Sequence, residues 1–272
     1  MNVNENNTVF LTVAAWPDWE TKTEIFLRSA KKQDVPVELL DKNEPWKGYY
    51  HHKIVRMKER LAAWQNIRPE IKYVVFTDSR DVVYVKPKRE ILSLLADASD
   101  EKVLFALDNR FRTWPMQKTW LAHRIALKYG FDGVLNSGCY AGRIDHVIEL
   151  FSECIRIHEI LVTGNRSMNS VLKMVHNELK PEYLYSDQFH LHVAQALWSD
   201  RIAVDEPRKV FACFKGGFPP LKTGPQLGSC GEMPLGTAGI LHSPWMLHRD
   251  KHSKKDMNAW RNWAIDEGIV DE

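Results

Sequence analysis

A chain of 272 residues and 31.6 kDa is long enough for one large domain or two small ones, each with a full apolar core. With 44% hydrophobic and 26% charged residues it is globular, which excludes a disordered or fibrous protein. The formal net charge of +2 does not by itself demand a nucleic-acid partner.

The N-terminus carries no basic run, and the apolar stretch Val9 to Trp16 is too short for a signal peptide or a membrane span. The expectation is a soluble, intracellular, cytoplasmic protein with no membrane partner; a virus-encoded protein acting in a host cell fits it. "TVFLTVAAW" reads as a buried strand bounded by Pro17. "TEIFLRSAKKQ" has helical periodicity, with Ile25, Phe26 and Ala30 inward and Lys31 and Lys32 outward. "VPVELLD" reads as a second strand. "YYHHKIVRMKERLAAWQN" predicts an amphipathic helix with Ile54, Met57, Leu61 and Trp64 on one face. The apolar run "YVVF" is followed at once by "TDSRD" and then by a second run, "VVYV". "KREILSLLADA" reads as a helix and "KVLFALD" as a strand.

In "GVLNSGCYAGR", from Gly133 to Arg143, three glycines permit a sharp turn or a close approach to a ligand. A strand-turn-helix joint is the plainer reading. A helix, "IDHVIELFSECIRIHEIL", and a loop, "TGNRSMN", follow. "YLYSDQFHLHVAQALW" places Ser186 or Asp187 near a helix N-terminus. Residues 218–239 are rich in Pro and Gly, as in an irregular excursion or lid. The end of the chain is basic and aromatic. Cys139, Cys154, Cys213 and Cys230 form no CxxC pair and read as reduced thiols.

Strands alternating with helices predict an α/β sandwich with a mostly parallel sheet, whose ligands bind beyond the carboxyl ends of the strands. Asp78 and Asp81 stand at such an end. Two carboxylates three residues apart suit a hard divalent cation, which takes oxygen ligands and leaves positions open for phosphate oxygens. A solvated turn paired with Arg80 or Lys86 is the alternative. Asn136 and Ser137 are suited to sugar hydroxyls. Asp187 is suited to a base, a sugar anchor or a helix N-cap. His242 reads as a third metal ligand or as a satisfied histidine. His248 and His252 lack the intervening Glu of a metalloprotease. Trp46, Trp114, Trp245, Trp260 and Trp263 are candidates for stacking on a sugar, a uracil or an unpaired base, or for the core.

In order along the chain, "TVAAW", "FLRSA", "EPWKG", "HHKIVRMKE", "VVFTDSRDVV", Trp114-Pro, "LNSGCYAG", "DQF" and "LHSP" resemble the glycosyltransferase domain of procollagen lysyl hydroxylases, from about Val9 to His242. The resemblance implies a GT-A-type, Rossmann-like fold over residues 1–242, with residues 243–272 as a basic, aromatic tail packed on the same domain. It implies a metal-dependent hexosyltransferase using UDP-glucose or UDP-galactose, with Mn²⁺ or Mg²⁺ held by Asp78, Asp81 and His242. It places Val13, Ala15, Trp46, Lys53, Asp78, Ser79, Arg80, Ser137 and Gly138 at the donor nucleotide and sugar. Asp187, Asn136, Asp108 and Trp114 fall at the sugar and acceptor side, as catalytic candidates.

The chain departs from the family at Arg80, where a Tyr is usual, at the shortened "SDQ", and at "SPW" after the histidine. The acceptor is a hydroxylysine-like protein side chain or, given Arg249, Lys251, Lys254, Lys255 and Arg261 in the tail, a hydroxymethyl-pyrimidine in viral DNA. A binding module without turnover and a metal-dependent diphosphate hydrolase are the competing classes.

Overall fold

The computed structural model describes residues 1–108, 134–164, 168–205, 208–213, 238–242 and 254–271. A six-stranded sheet runs β2-β1-β3-β6-β5-β7, built from β1 (Thr8–Val13), β2 (Val37–Leu40), β3 (Tyr73–Thr77), β5 (Val103–Asp108), β6 (Val134–Arg143) and β7 (Ile202–Asp205). β1 pairs in parallel with β2 and β3, and β5 with β7. β6 alone runs against its two neighbours. A second sheet of β4 (Val82–Tyr84), β9 (Ile240–His242) and β8 (Phe211–Cys213) lies outside this order.

The central strands are buried on both faces, which is why they read as unbroken apolar runs. Their side chains still alternate. Val9, Leu11, Val13, Val74 and Phe76 enter one core with α3 (Met57–Ile67) and α5 (Ile144–Thr163). Phe10, Tyr73 and Val75 enter the opposite core with α2 (Glu24–Lys32), α4 (Lys88–Ala96) and the small sheet. The result is a three-layer sandwich. α1 (Trp19–Lys22) precedes α2, and α6 (Ser170–Asn177) and α7 (Asp187–Leu197) extend the first layer. α5 ends at Gly164, whose φ of 65° is the left-handed conformation that closes a helix without a Cβ penalty.

Three local outcomes differ from the sequence pattern. The glycine-containing "VLNSGCYAGR" is a strand, β6, with no turn. The helix expected from Tyr49 begins as a π-helix, His51–Arg56, before α3. His52, Lys53 and Ile54 are consecutive and all buried, which the narrower α-turn does not place on one face. Finally, Trp260 and Trp263 of α8 (Lys254–Asp266) are core residues, packed with Ile25, Val83 and Leu241. They are therefore not platforms for a base. Cys139, Cys154 and Cys213 are buried free thiols. Among the described residues no helix is long and apolar enough to cross a membrane.

Candidate active site

β1 and β3 deliver their carboxyl ends to one edge of the sheet, and β6 crosses that edge in the opposite sense. Thr77 pairs with Cys139, and the next residue, Asp78, donates its N–H to the Gly138 carbonyl at 2.7 Å. On the other side, β6 is out of step with β5. Phe105 faces Tyr140 while Ala106 faces Asn136, so Ser137, Gly138 and Cys139 bulge from that ladder. The bulge turns Asn136 back on itself, and its side chain accepts the Gly138 N–H at 2.8 Å.

Gly138 packs against His242 and Asp78. A Cβ built there would lie 2.2 Å from His242 Cε1 and 2.9 Å from both Asp78 Oδ2 and Asn136 Oδ1. The absent side chain is what lets the histidine and the first acid share the space. His242 arrives on β9, placed opposite Val82 and beside Cys213 by the small sheet. Its Nδ1 is 3.6 Å from Cys213 Sγ. Its Nε2 faces Asp81 Oδ1 at 3.5 Å and Asp78 Oδ2 at 4.0 Å.

One ligand atom from each of Asp78, Asp81 and His242 lies within 4.8 Å of the others. His242 is 2% exposed, and its Nε2 completes no hydrogen bond among the described residues. An orphaned imidazole nitrogen facing two carboxylates fits a divalent cation with oxygen and nitrogen ligands. Burial alone would push the imidazole pKa down, but Asp81 and Cys139 beside it outweigh that and the net direction is upward. Burial pushes Asp78 up, against the lowering by Lys53. Charge is thus concentrated here in a site that removes water from it.

Lys53, from the π-helix, reaches Asp78 and Asp187. Its Nζ is 2.5 Å from Asp78 Oδ1 and 3.4 Å from Asp187 Oδ2, above the rings of Tyr49 and Phe76 at 5.2 and 5.7 Å. Ser186 is the N-cap of α7, accepting the Phe189 N–H at 3.3 Å. Asp187 is therefore not needed as a cap. It is buried, with Oδ2 lacking a hydrogen bond among the described residues.

Val13, Trp16, Trp46, Tyr49, Lys53, Asp78, Ser79, Arg80 and Asp81 line one narrow cleft. Ser79 Oγ donates to the Val13 carbonyl at 3.0 Å, joining the ends of β1 and β3. Trp46 is the centre of a ring stack. Trp16 lies on one face at 5.4 Å and His52 on the other at 5.0 Å, with interplanar angles of 24° and 14°. Arg80 covers the outer face of Trp16 at 5.5 Å. His52 is fixed by Asp41, 2.7 Å from its Nδ1, and by the Lys47 N–H donating to Nε2 at 3.1 Å.

Ala15 is in the core. Ser137 is buried beside Gln188, its hydroxyl 3.5 Å from the amide oxygen. Asp108 pairs through its backbone with Val134. Trp114, the lid region 218–237, Trp245, His248 and His252 lie outside the described residues. Trp16, Tyr49 and the His52–Asp41 pair were missed by the sequence reading. Their only signal was aromatic residues at a strand end and before a helix.

Behind Asp187, His190 is completely buried. Its Nδ1 donates to the Ser186 carbonyl at 2.7 Å, and its Nε2 is 3.1 Å from His158 Nδ1, with Tyr50 packed on both rings. Burial pushes its pKa down to about 4, against a smaller raising effect of the Ser186 carbonyl. Because the folded value lies below the unfolded 6.5, the stabilisation is complete above pH 6.5 and is lost as pH falls toward 4. Lowering pH from about 7.5 to about 5 should cost about 2 kcal/mol through this residue. Urea unfolding at the two pH values checks it: His190→Gln should flatten the difference by that amount.

The PLOD GT domain family, the glycosyltransferase of lysyl hydroxylase type, matches residues 4–160. The match contains Lys53, Asp78, Asp81, Asn136 and Gly138, and ends before Asp187 and His242. Among solved structures, the chain is similar to a glycosyltransferase involved in the glycosylation of the major capsid of PBCV-1. The identity is 10% and the TM-score 0.48, covering 93% of this chain and 98% of that chain. No curated protein matches the chain.

Proposed function

The chain belongs to the PLOD GT domain family, and from that premise we propose that it moves a hexose from a UDP-sugar to a hydroxyl acceptor in a metal-dependent reaction. The observation that carries the metal dependence is the orphaned Nε2 of His242 facing Asp78 and Asp81. These three residues would hold Mn²⁺ or Mg²⁺. Such an ion, when bound, supplies Lewis acidity to the departing diphosphate.

The remaining roles belong to the chain's own side chains. Trp46, stacked between His52 and Trp16, and Arg80 over Trp16 form one aromatic, cation-capped wall of the cleft, beside which the uracil would lie. Lys53 places a buried positive charge beside the acids, where charge develops on the leaving group. Asn136 and Ser137 face the sugar hydroxyls. Asp187, held near the Lys53 ammonium, accepts the proton of the attacking hydroxyl or anchors the sugar. The donor is UDP-glucose or UDP-galactose. We favour a hydroxylysine-like protein side chain as acceptor over a hydroxymethylated DNA base, since two tail tryptophans suited to base stacking, Trp260 and Trp263, are buried.

The test is UDP release from both donors, with and without Mn²⁺, in the presence of a hydroxylysine peptide. The expected result is release that requires Mn²⁺ and prefers one donor. Metal-independent release overturns the cation's role. UMP as product overturns transfer in favour of hydrolysis.

A further inference from the structure

We propose that Lys53 is an internal counter-cation that competes with the divalent ion for Asp78 and hands its charge over to Asp187 when that ion binds. The proposal rests on the cation reading of Asp78, Asp81 and His242, and adds a coupling between that centre and the sugar-side carboxylate.

Three elements converge on one ammonium. Asp78 follows β3, Lys53 sits on the π-helix, and Asp187 opens α7. The Asp78 carboxylate is divided: Oδ2 faces His242 Nε2 at 4.0 Å, while Oδ1 takes the Lys53 ammonium at 2.5 Å. The Lys53 side chain is 8% exposed, so water does little to screen either contact. At 3.4 Å, the Asp187 pair is the looser of the two, and Asp187 Oδ2 has no hydrogen-bond partner among the described residues. The second carboxylate is thus ready to accept the ammonium with a small movement.

A divalent ion at Asp78 and the Lys53 ammonium repel each other and share one carboxylate. Binding of the ion weakens the 2.5 Å pair and favours the Asp187 pair. The same linkage runs backwards, so Asp187 raises the affinity of the centre although it faces Lys53 and not the ion. Lys53 is a positioning residue in this scheme.

The experiment is Mn²⁺ binding without nucleotide, at pH 8, read by the electron paramagnetic resonance of free Mn²⁺. Lys53→Met is expected to bind Mn²⁺ about tenfold more tightly, because a buried positive charge is removed from beside its ligand. Lys53→Arg keeps the charge and should stay within about twofold. Asp187→Asn should weaken binding several-fold, since Lys53 then neutralises Asp78 alone. A merely structural lysine would give loss of binding, never a gain.

Unchanged or weaker binding by folded Lys53→Met overturns the proposal. If Lys53→Met does not fold, Asp187→Asn decides, and unchanged or tighter binding there overturns it. Wild-type protein that binds no Mn²⁺ overturns the cation reading together with this proposal. Binding by wild type with insensitive variants overturns this proposal alone.

Discussion

Replacing Asp81 by alanine should lower sugar transfer by about 100- to 1,000-fold while the fold persists, the scale expected when several kcal/mol of metal-assisted charge stabilisation are lost. Asp81 is 4% exposed and directs Oδ1 at His242 Nε2 from 3.5 Å. The substitution removes one of the two carboxylates proposed to hold the ion and leaves the imidazole with only the more distant Asp78. Asp78 and Asp187 remain beside Lys53 after the substitution, so its buried ammonium keeps both partners. The following strand, Val82–Tyr84, keeps its pairing with β9 through the backbone. Initial rates across a Mn²⁺ titration, with thermal unfolding as a control, read both effects. An apparent Mn²⁺ requirement that does not rise, or a rate within tenfold of wild type, would remove Asp81 from the ligand set.

Gly138→Ala should be as damaging to activity by a different route. Gly138 lies in a strand and its φ is not positive, so the backbone accepts alanine. The penalty is wholly steric. The new Cβ would sit 2.2 Å from a buried imidazole carbon and 2.9 Å from Asp78 Oδ2. His242 cannot yield freely, because β9 is paired with both β4 and β8. Overpacking of this kind costs about 1–3 kcal/mol. The relaxation that relieves it moves the histidine away from the acids, so Mn²⁺ affinity should fall together with the melting temperature. Gly142→Ala is the internal comparison. Its Cβ would meet Val103 at 3.3 to 3.5 Å, ordinary to tight contact, and lies on the same strand away from the acids. It should cost less stability and leave Mn²⁺ binding intact. Equal Mn²⁺ affinity in the two variants would show that Gly138 is not part of the site's construction.

The acid pair was legible because it interrupts an apolar run. Five buried residues, "YVVFT", announce a central strand, and the first charged residue after it has to lie at the strand's end. The two core faces were equally legible, since Phe10 and Leu11 must point to opposite sides. The reversal of β6 was not. A strand buried on both faces has the same apolar pattern in either direction, and its partners are set by connections whose paths the pattern does not encode. The residues alone left His242 open between a third metal ligand and a satisfied histidine. "ILH" is too short to read as a strand, and its place beside Asp81 depends on pairing with Val82–Tyr84. The stack of Trp16 on Trp46 was invisible for the same reason: the alignment of β1 with β2 brings the two loops together. The π-helix leaves a trace, three consecutive buried residues in a helical segment, but burial at His52 and Lys53 contradicts their polarity and is apparent only once Asp41, Asp78 and Asp187 surround them.

The small sheet has a consequence for how the protein matures during synthesis. Val82 pairs with His242, about 160 residues further along the chain, so closing that loop is among the most entropically costly steps of folding. A ribosome that has released residues 1–143 has supplied β1, β2, β3, β5 and β6, together with both acids and Gly138. The nascent chain would then hold the acidic half of the centre without its nitrogen ligand, and with β4 still lacking both strands of its sheet. On the proposed cation reading, full-strength capture of the ion would be a late event in biogenesis, timed by the emergence of the β9 strand.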